Sequence, residues 1–289
     1  MSDLISFIIP TYNRSDTLSA AIRSIQLQTY SNWELIIVDD GSTDETKLVV
    51  KKLNETKNIT YFYQENKGVS AARNIGAKIS KGKYIIFLDS DDTVKPKLVE
   101  MLHKISFPEF DLICWEVEKV INGKRIIWKP RKLEKIYNRV TATFLAGSVC
   151  YSKILFLNSG GFDESMTFGE NYELGIRIAA NENLKIYIIP MVLSRYTVNT
   201  AMRRSTAIPN RLGSALRLLE KHPTVFANDP VSHARVLYQV GLLYQKKKEW
   251  NQALFFYKRT IKTYPFYYKA YIRMGIYFLR GSLHLFKLV

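Results

Sequence analysis

The stretch Lys83-Tyr-Ile-Ile-Phe-Leu-Asp-Ser-Asp-Asp92 decides how this chain is read. Tyr84 to Leu88 is apolar, β-branched and aromatic, is too short for a helix, and follows a Lys-Gly-Lys turn. That pattern predicts a buried strand. Asp89, Asp91 and Asp92 then fall at its carboxyl end, where open α/β sheets bind their ligands. Carboxylates this close repel one another unless a cation or cationic ligand sits among them. Hard oxygen donors suit Mg²⁺ or Mn²⁺, which complete their shells with water and phosphate oxygens. The competing reading is an acidic turn that caps a helix starting near Pro96.

Three more strand-and-helix pairs precede this stretch. Leu4 to Ile9 is continuously apolar, as in a buried parallel strand. After Pro10-Thr11-Tyr12-Asn13-Arg14, Ser15 or Asp16 is placed to cap a helix carrying Leu18, Ala21, Ile22 and Ile25. Trp33 to Val38 is the second strand. Gly41 then permits a tight turn, and Asp44 is placed to cap a helix to about Leu53. Ile59 to Tyr63 is the third strand, and a helix opens at Lys67-Gly68-Val69-Ser70. Four alternations in about ninety residues argue a parallel, doubly wound α/β sheet.

Four of these segments carry a resemblance: Ser6–Arg14, Val38–Asp44, Asn66–Gly76 and Phe87–Asp92. In order and spacing they resemble family 2 glycosyltransferases with the GT-A fold, over roughly residues 4–200. The resemblance implies a Rossmann-like mixed sheet and an inverting, metal-dependent transfer from a nucleoside diphosphate sugar, with UDP preferred. It places Pro10 and Tyr12 at the base and Asp40 as acceptor of the base N3–H. Arg14, Asn66, Ser90 and Gly161 join the nucleotide-sugar site. Arg73 falls near the diphosphate, with structural pairing to Asp89 or Asp91 as the alternative. The Asp-x-Asp motif is Asp89-Ser90-Asp91, with Asp91 as the ligand of Mn²⁺ or Mg²⁺ and Asp89 on the ribose or beside the metal.

Farther on, residues 110–118 alternate like a strand, and Asn122-Gly123 makes a hairpin turn to Arg125–Trp128. Val149 to Phe156 is read as another strand, and Leu184 to Ile189 as one more. Gly160-Gly161 and Phe168-Gly-Glu-Asn-Tyr-Glu-Leu174 resemble the acceptor side of the family. There an Asp following a Glu is the general base, and this chain has Asn171. An amide accepts no proton at neutral pH. Three readings stay open: Glu170 or a nearby carboxylate is the base, Asn171 replaces an Asp by engineering, or the chain is a naturally weak homologue. Many relatives also carry a metal-assisting His near Asn199, and no His lies between His103 and His222. Arg203-Arg204-Ser205 is read as a loop over the diphosphate or as a plain basic linker.

From Ile208 the pattern turns helical. Leu237, Gly241, Tyr244, Ala253, Tyr257 and Pro265 fit the tetratricopeptide pattern, with Gly241 and Gly275 one repeat apart. The expected division is a GT-A domain at 1–205 and a helical region at 206–289. The net charge of +16 is concentrated there: residues 200–289 hold 16 Lys/Arg against 3 Asp/Glu. That implies an acidic partner, an anionic membrane surface or a protein, unless the basic surface is merely solvated. Nucleic acid is not the expected partner. The final segment from Tyr267 either lies on a membrane surface or is a repeat helix with one buried face.

Composition is that of a soluble globular protein, 47% hydrophobic and 24% charged. No apolar run reaches the ~18 residues of a membrane span, and the N-terminus lacks signal-peptide character. With Cys114 and Cys150 expected as reduced core residues, a cytoplasmic protein is expected, with peripheral attachment to the inner face of a membrane left open. The expected reaction joins the donor sugar to a hydroxyl of a glycan or lipid-linked acceptor, in polysaccharide or glycoconjugate synthesis. A non-catalytic nucleotide-sugar-binding scaffold acting through the helical tail is the rival. A nucleotidyltransferase is disfavoured, because no Gly-rich basic loop follows the first strand.

Overall fold

The computed structural model describes residues 3–53, 58–105, 109–121, 123–198 and 207–285, without the side chains of Val198 and 278–285. The chain divides into two compact units. One comprises Met1–Leu133 with Val140–Met202, the other Glu134–Arg139 with Arg203–Val289.

The first unit is built on a sheet of nine strands among the described residues. β1 (Ile5–Thr11), β2 (Trp33–Asp40), β3 (Ile59–Gln64) and β4 (Tyr84–Phe87) lie parallel in the order β3-β2-β1-β4. Every residue of β1 is buried, so this strand is covered on both faces, as its unbroken apolar run requires. α1 (Leu18–Gln26) buries Leu18, Ala21, Ile22 and Ile25, one stripe at helical spacing. α2 (Thr46–Leu53) follows β2. α3 (Val69–Ile79) lies close on the strands because Gly76 has no Cβ; one there would overlap Ile8.

Beyond β4 the sheet departs from the parallel, doubly wound arrangement. β10 (Val149–Ser152) pairs antiparallel with both β4 and β6 (Leu112–Ile121). β11 (Ile186–Val198) then runs parallel to β6 and carries β5 (Thr93–Val94) antiparallel at the edge. The sheet is therefore mixed. The early alternation of strand and helix could not reveal this, because the antiparallel strand arrives some sixty residues later. β7 (Lys124–Trp128) pairs with β6 as the expected hairpin; Gly123 takes the left-handed backbone of its turn, and Asn122 is outside the described residues. β8 (Arg131–Lys132) and β9 (Thr141–Ala142) form a separate ribbon.

Several local expectations are corrected. Val149–Phe156 is not one strand: β10 stops at Ser152, whose hydroxyl accepts from Leu155 N–H and opens α5 (Lys153–Asn158). Neither Ser15 nor Asp16 caps α1, which starts after Thr17 with no side-chain cap. α4 (Leu98–His103) starts after Lys97, so the aspartates of the acidic turn are not its caps. Cys114 and Cys150 are buried free thiols, and burial pushes Cys114 up to about 12.

The second unit holds α7 (Ile208–Lys221), α8 (Pro223–Ala227), α9 (Pro230–Lys246), α10 (Trp250–Thr263) and α11 (Tyr268–Leu285). Asp229 caps α9 by accepting from Ser232 N–H. α10 folds back on α9, and Gly241 lets it approach: a Cβ there would lie 2.6 Å from the Tyr257 ring. No described helix is long and apolar enough to cross a membrane.

Candidate active site

The carboxyl ends of β1, β2 and β4, the start of α3, and α6 (Glu170–Ala179) converge on one site. Register puts Thr11 beside Asp39, so the loops after β1 and β2 emerge together. They are tied by backbone donors. Asn13 N–H reaches Ser42 Oγ at 2.9 Å, Thr43 N–H reaches Asn13 Oδ1 at 2.8 Å, and Arg14 N–H reaches Thr46 Oγ1 at 3.2 Å. Asp44 accepts from Ser15 and Thr46. Burial pushes its carboxyl up, but the Thr46 hydroxyl and the Ser15 and Thr46 amides outweigh it and hold it at about 2. Tyr12 is exposed at this mouth.

Asp39 and Asp40 are both buried, and both are spoken for within the protein. Asp39 accepts from Ser42 N–H at 2.8 Å and from the Tyr61 hydroxyl at 2.6 Å. Asp40 accepts from Gln64 Nε2 at 2.7 Å and from the amides of Lys67 and Gly68 at 2.8 Å each. Its carboxylate thus fixes the loop from β3 to α3. Asn66 is exposed on that loop and its backbone presses on Gly41, where a Cβ would lie 2.9 Å from Asn66 N.

At the end of β4, Asp89, Asp91 and Asp92 each offer an oxygen within 4.8 Å of the others. Ser90 is buried between them in sequence. Asp92 Oδ1 accepts from Thr197 N–H at 2.9 Å, which fixes the cluster against β11. Three hard, clustered oxygen donors fit a divalent cation such as Mn²⁺ or Mg²⁺.

Arg73 organises the surroundings of this cluster. It is 2% exposed on α3 and donates from Nη2 to Asp89 Oδ1 at 2.7 Å and from Nη1 to Glu170 Oε1 at 2.8 Å. Burial pushes the guanidinium down, but the Asp89 and Glu170 carboxylates prevail and raise it above its ordinary value. Its plane also lies over the Phe162 ring, 5.1 Å from the centroid. Of the two roles open from sequence, the structure displays pairing with Asp89. Both terminal nitrogens are engaged, with Glu170 as a second partner 97 residues away in sequence.

α6 starts after Gly169, whose left-handed backbone turns the chain into the helix. Asn171 is half-buried beside Glu170, with Nδ2 donating to Glu170 Oε1 at 3.2 Å. Glu173 is fully buried and pairs with Arg177, which also donates to the carbonyls of Ser159 and Gly161. Gly161 adopts φ +65, and a Cβ there would lie 2.7 Å from Asn74 Oδ1. Its missing side chain makes room for Asn74, which bonds both backbone groups of Phe162. That interlock was not visible in sequence, where Asn74 and Gly161 were separate motif letters. The expected positions around Asn199 and Arg203–Ser205 lie outside the described residues.

This chain belongs to glycosyl transferase family 2, whose model matches residues 6–160. It is 30% identical over 200 residues to the UDP-Glc:alpha-D-GlcNAc-diphosphoundecaprenol beta-1,3-glucosyltransferase WfgD of Escherichia coli, covering 68% of this chain and 78% of that one. It is 46% identical to an uncharacterized glycosyltransferase of Rickettsia conorii over 97 residues, 34% of this chain but 16% of that longer protein. In structure it is similar to residues 1–349 of S. aureus TarS in complex with UDP-GlcNAc. The TM-score is 0.65 at 18% identity, over 90% of this chain and 81% of that one. The mixed sheet with its flanking helices is therefore a GT-A fold, and the chain is a glycosyltransferase by family.

Proposed function

We propose that this chain transfers a sugar, with inversion, from a UDP-sugar to a hydroxyl of a glycan or lipid-linked acceptor. The observation that carries the reading is the Arg73 bridge. One buried guanidinium joins the acidic end of β4 to the first turn of α6, so a donor diphosphate and an acceptor hydroxyl have adjoining places. The UDP donor and lipid-linked acceptor are supported by the activity of the E. coli relative, a UDP-Glc:alpha-D-GlcNAc-diphosphoundecaprenol glucosyltransferase. In this reading residues 1–205 are the transferase domain, and 206–289 are a tetratricopeptide-like helical region.

Pro10 and Tyr12 flank the base. Asp40, expected from sequence to accept the base N3–H, is engaged by Gln64, Lys67 and Gly68 and instead sets the loop carrying Asn66 beside the base, while Arg14 and Ser90 complete the donor pocket. Asp91, with Asp89, would hold Mn²⁺ or Mg²⁺, which supplies charge neutralisation for the departing diphosphate. Arg73 orients Asp89 rather than touching the diphosphate, and Gly161 with Asn74 shapes the acceptor wall. Asn171 holds the acceptor hydroxyl by hydrogen bond and takes no proton, so the hydroxyl proton passes to solvent water as the new bond forms. Glu170, with Oε1 already accepting from Arg73 and Asn171, anchors α6.

Calorimetry of UDP binding with Mn²⁺ tests the donor half. Asp91→Ala is expected to weaken binding at least about ten-fold; unchanged affinity would remove Asp91 from the site. The amide at position 171 also favours a second reading, a homologue that binds nucleotide-sugar without transferring it. Donors that bind but never turn over, in the parent and in Asn171→Asp alike, would establish that reading.

A further inference from the structure

The last described helix is apolar on two opposite faces. On its inner face Ala270 is fully buried, with Tyr267 and Met274 packed against Tyr238, Ala253 and Tyr257. On its outer face Tyr268, Tyr271, Ile272 and Ile276 recur at helical spacing and are exposed, Tyr268 by 65% and Ile272 by 57%. Phe266, in the turn before α11, is 80% exposed. A helix packed on one side in water carries polar residues on the other. Single exposed apolar residues need no explanation, but a continuous stripe of them marks a contact surface.

The charge of this part of the chain narrows what covers the stripe. Residues 250–289 contain seven Lys/Arg and no Asp or Glu. Lys258, Arg259, Lys262 and Lys269 are all exposed. Arg259 lies over the rings of Phe255 and Phe256, at 5.7 and 5.6 Å from their centroids, which leaves cations and aromatic surface side by side. Aromatic and aliphatic side chains flanked by cations, with no carboxylate to repel phosphate, are the composition of a helix lying in a lipid interface.

We propose that the outer face of α11, with the basic surface of α10, docks on an anionic lipid surface. Tyr268, Tyr271, Ile272 and Phe266 enter the headgroup–acyl boundary, and Lys258, Lys262 and Lys269 face lipid phosphates. This proposal rests on the helical unit alone and stands or falls separately from the assignment of the transfer site.

Co-sedimentation of the full chain with phosphatidylcholine vesicles, with and without phosphatidylglycerol, tests it. Binding is expected only with phosphatidylglycerol, and to weaken as salt rises. Each basic residue at such a surface is worth roughly five-fold, so Lys262→Gln with Lys269→Gln should weaken binding about 25-fold. Tyr271→Ser with Ile272→Ser should weaken it on the order of ten-fold or more, because apolar area is no longer withdrawn from water. All four positions are exposed, so UDP–Mn²⁺ affinity and the urea midpoint should hold. Equal partitioning onto neutral and anionic vesicles would overturn the proposal. So would full binding by the Ser variant, which would leave only attraction to any polyanion. Self-association in sedimentation equilibrium, abolished by the Ser variant and without vesicle binding, would assign the face to a second copy instead.

Discussion

The two halves of the sheet place their polar groups differently. In the parallel half, from β3 to β4, the ends of β1 and β2 are cross-linked by donors at most 30 positions away: Asp39 to Ser42, Asp40 to Lys67 and Gly68, Asn13 to Thr43. In the half beyond β4, the buried Glu173 pairs with Arg177 four positions on, but two other ion pairs span long stretches of chain. Glu170 meets Arg73 across 97 positions, and Arg195 reaches Glu118 across 77. The first arrangement gives a floor, fixing the loops that hold the nucleotide in the proposed function. The second gives a wall whose placement depends on a few pairs. Arg73, on the parallel half, is the pair that sets the wall against the floor.

Breaking that pair should give the largest effect on stability. Arg73→Leu leaves the half-buried Asp89 and Glu170 without their shared cation, and since Asp89 keeps some water contact a loss of about 3 kcal/mol is expected, the low end for a broken buried pair. It would be read as a lower urea midpoint at unchanged m-value. A loss under about 1 kcal/mol would mean that the β4–β10 ladder holds the halves together without help from the Arg73 pairs. The Asn74–Gly161 interlock is the lesser link. Gly161→Ala forces a left-handed backbone on a residue with a Cβ, at about 1–2 kcal/mol, and crowds Asn74 Oδ1. A stability within about 0.3 kcal/mol of the parent in the same titration would show that this wall yields freely.

The contrast also explains what the sequence could show. The strands of the parallel half were legible because each is a short apolar run closed by a turn signal, and the functional letters follow immediately. Asp89, Asp91 and Asp92 needed only their position after Tyr84–Leu88. The antiparallel half was harder. Val149–Phe156 is apolar apart from Ser152 and Lys153, and it is Ser152, the acceptor for Leu155 N–H three positions on, that separates strand from helix. The Arg73–Glu170 pair could not be read at all, since pairing across two elements depends on the fold. Sequence offered Asp89 or Asp91 as partners because they were the acids of the nearest motif. In the helical unit, the 34-residue spacing linked Gly241 and Gly275 but could not tell which of them packs closely: a Cβ at Gly241 would meet the Tyr257 ring, and one at Gly275 would meet nothing.

In the proposed function, sugar transfer occurs between the acidic end of β4 and the first turn of α6, with an amide standing at the proton-accepting position. Steady-state UDP release, measured with Mn²⁺ for the parent and for Asn171→Asp, tests it most directly. Asn and Asp are nearly equal in shape, so donor affinity should change little, while a restored general base should raise turnover by roughly 10²–10⁴-fold. An Asn171→Asp enzyme no faster than the parent, with a donor that both bind equally, would contradict the claim.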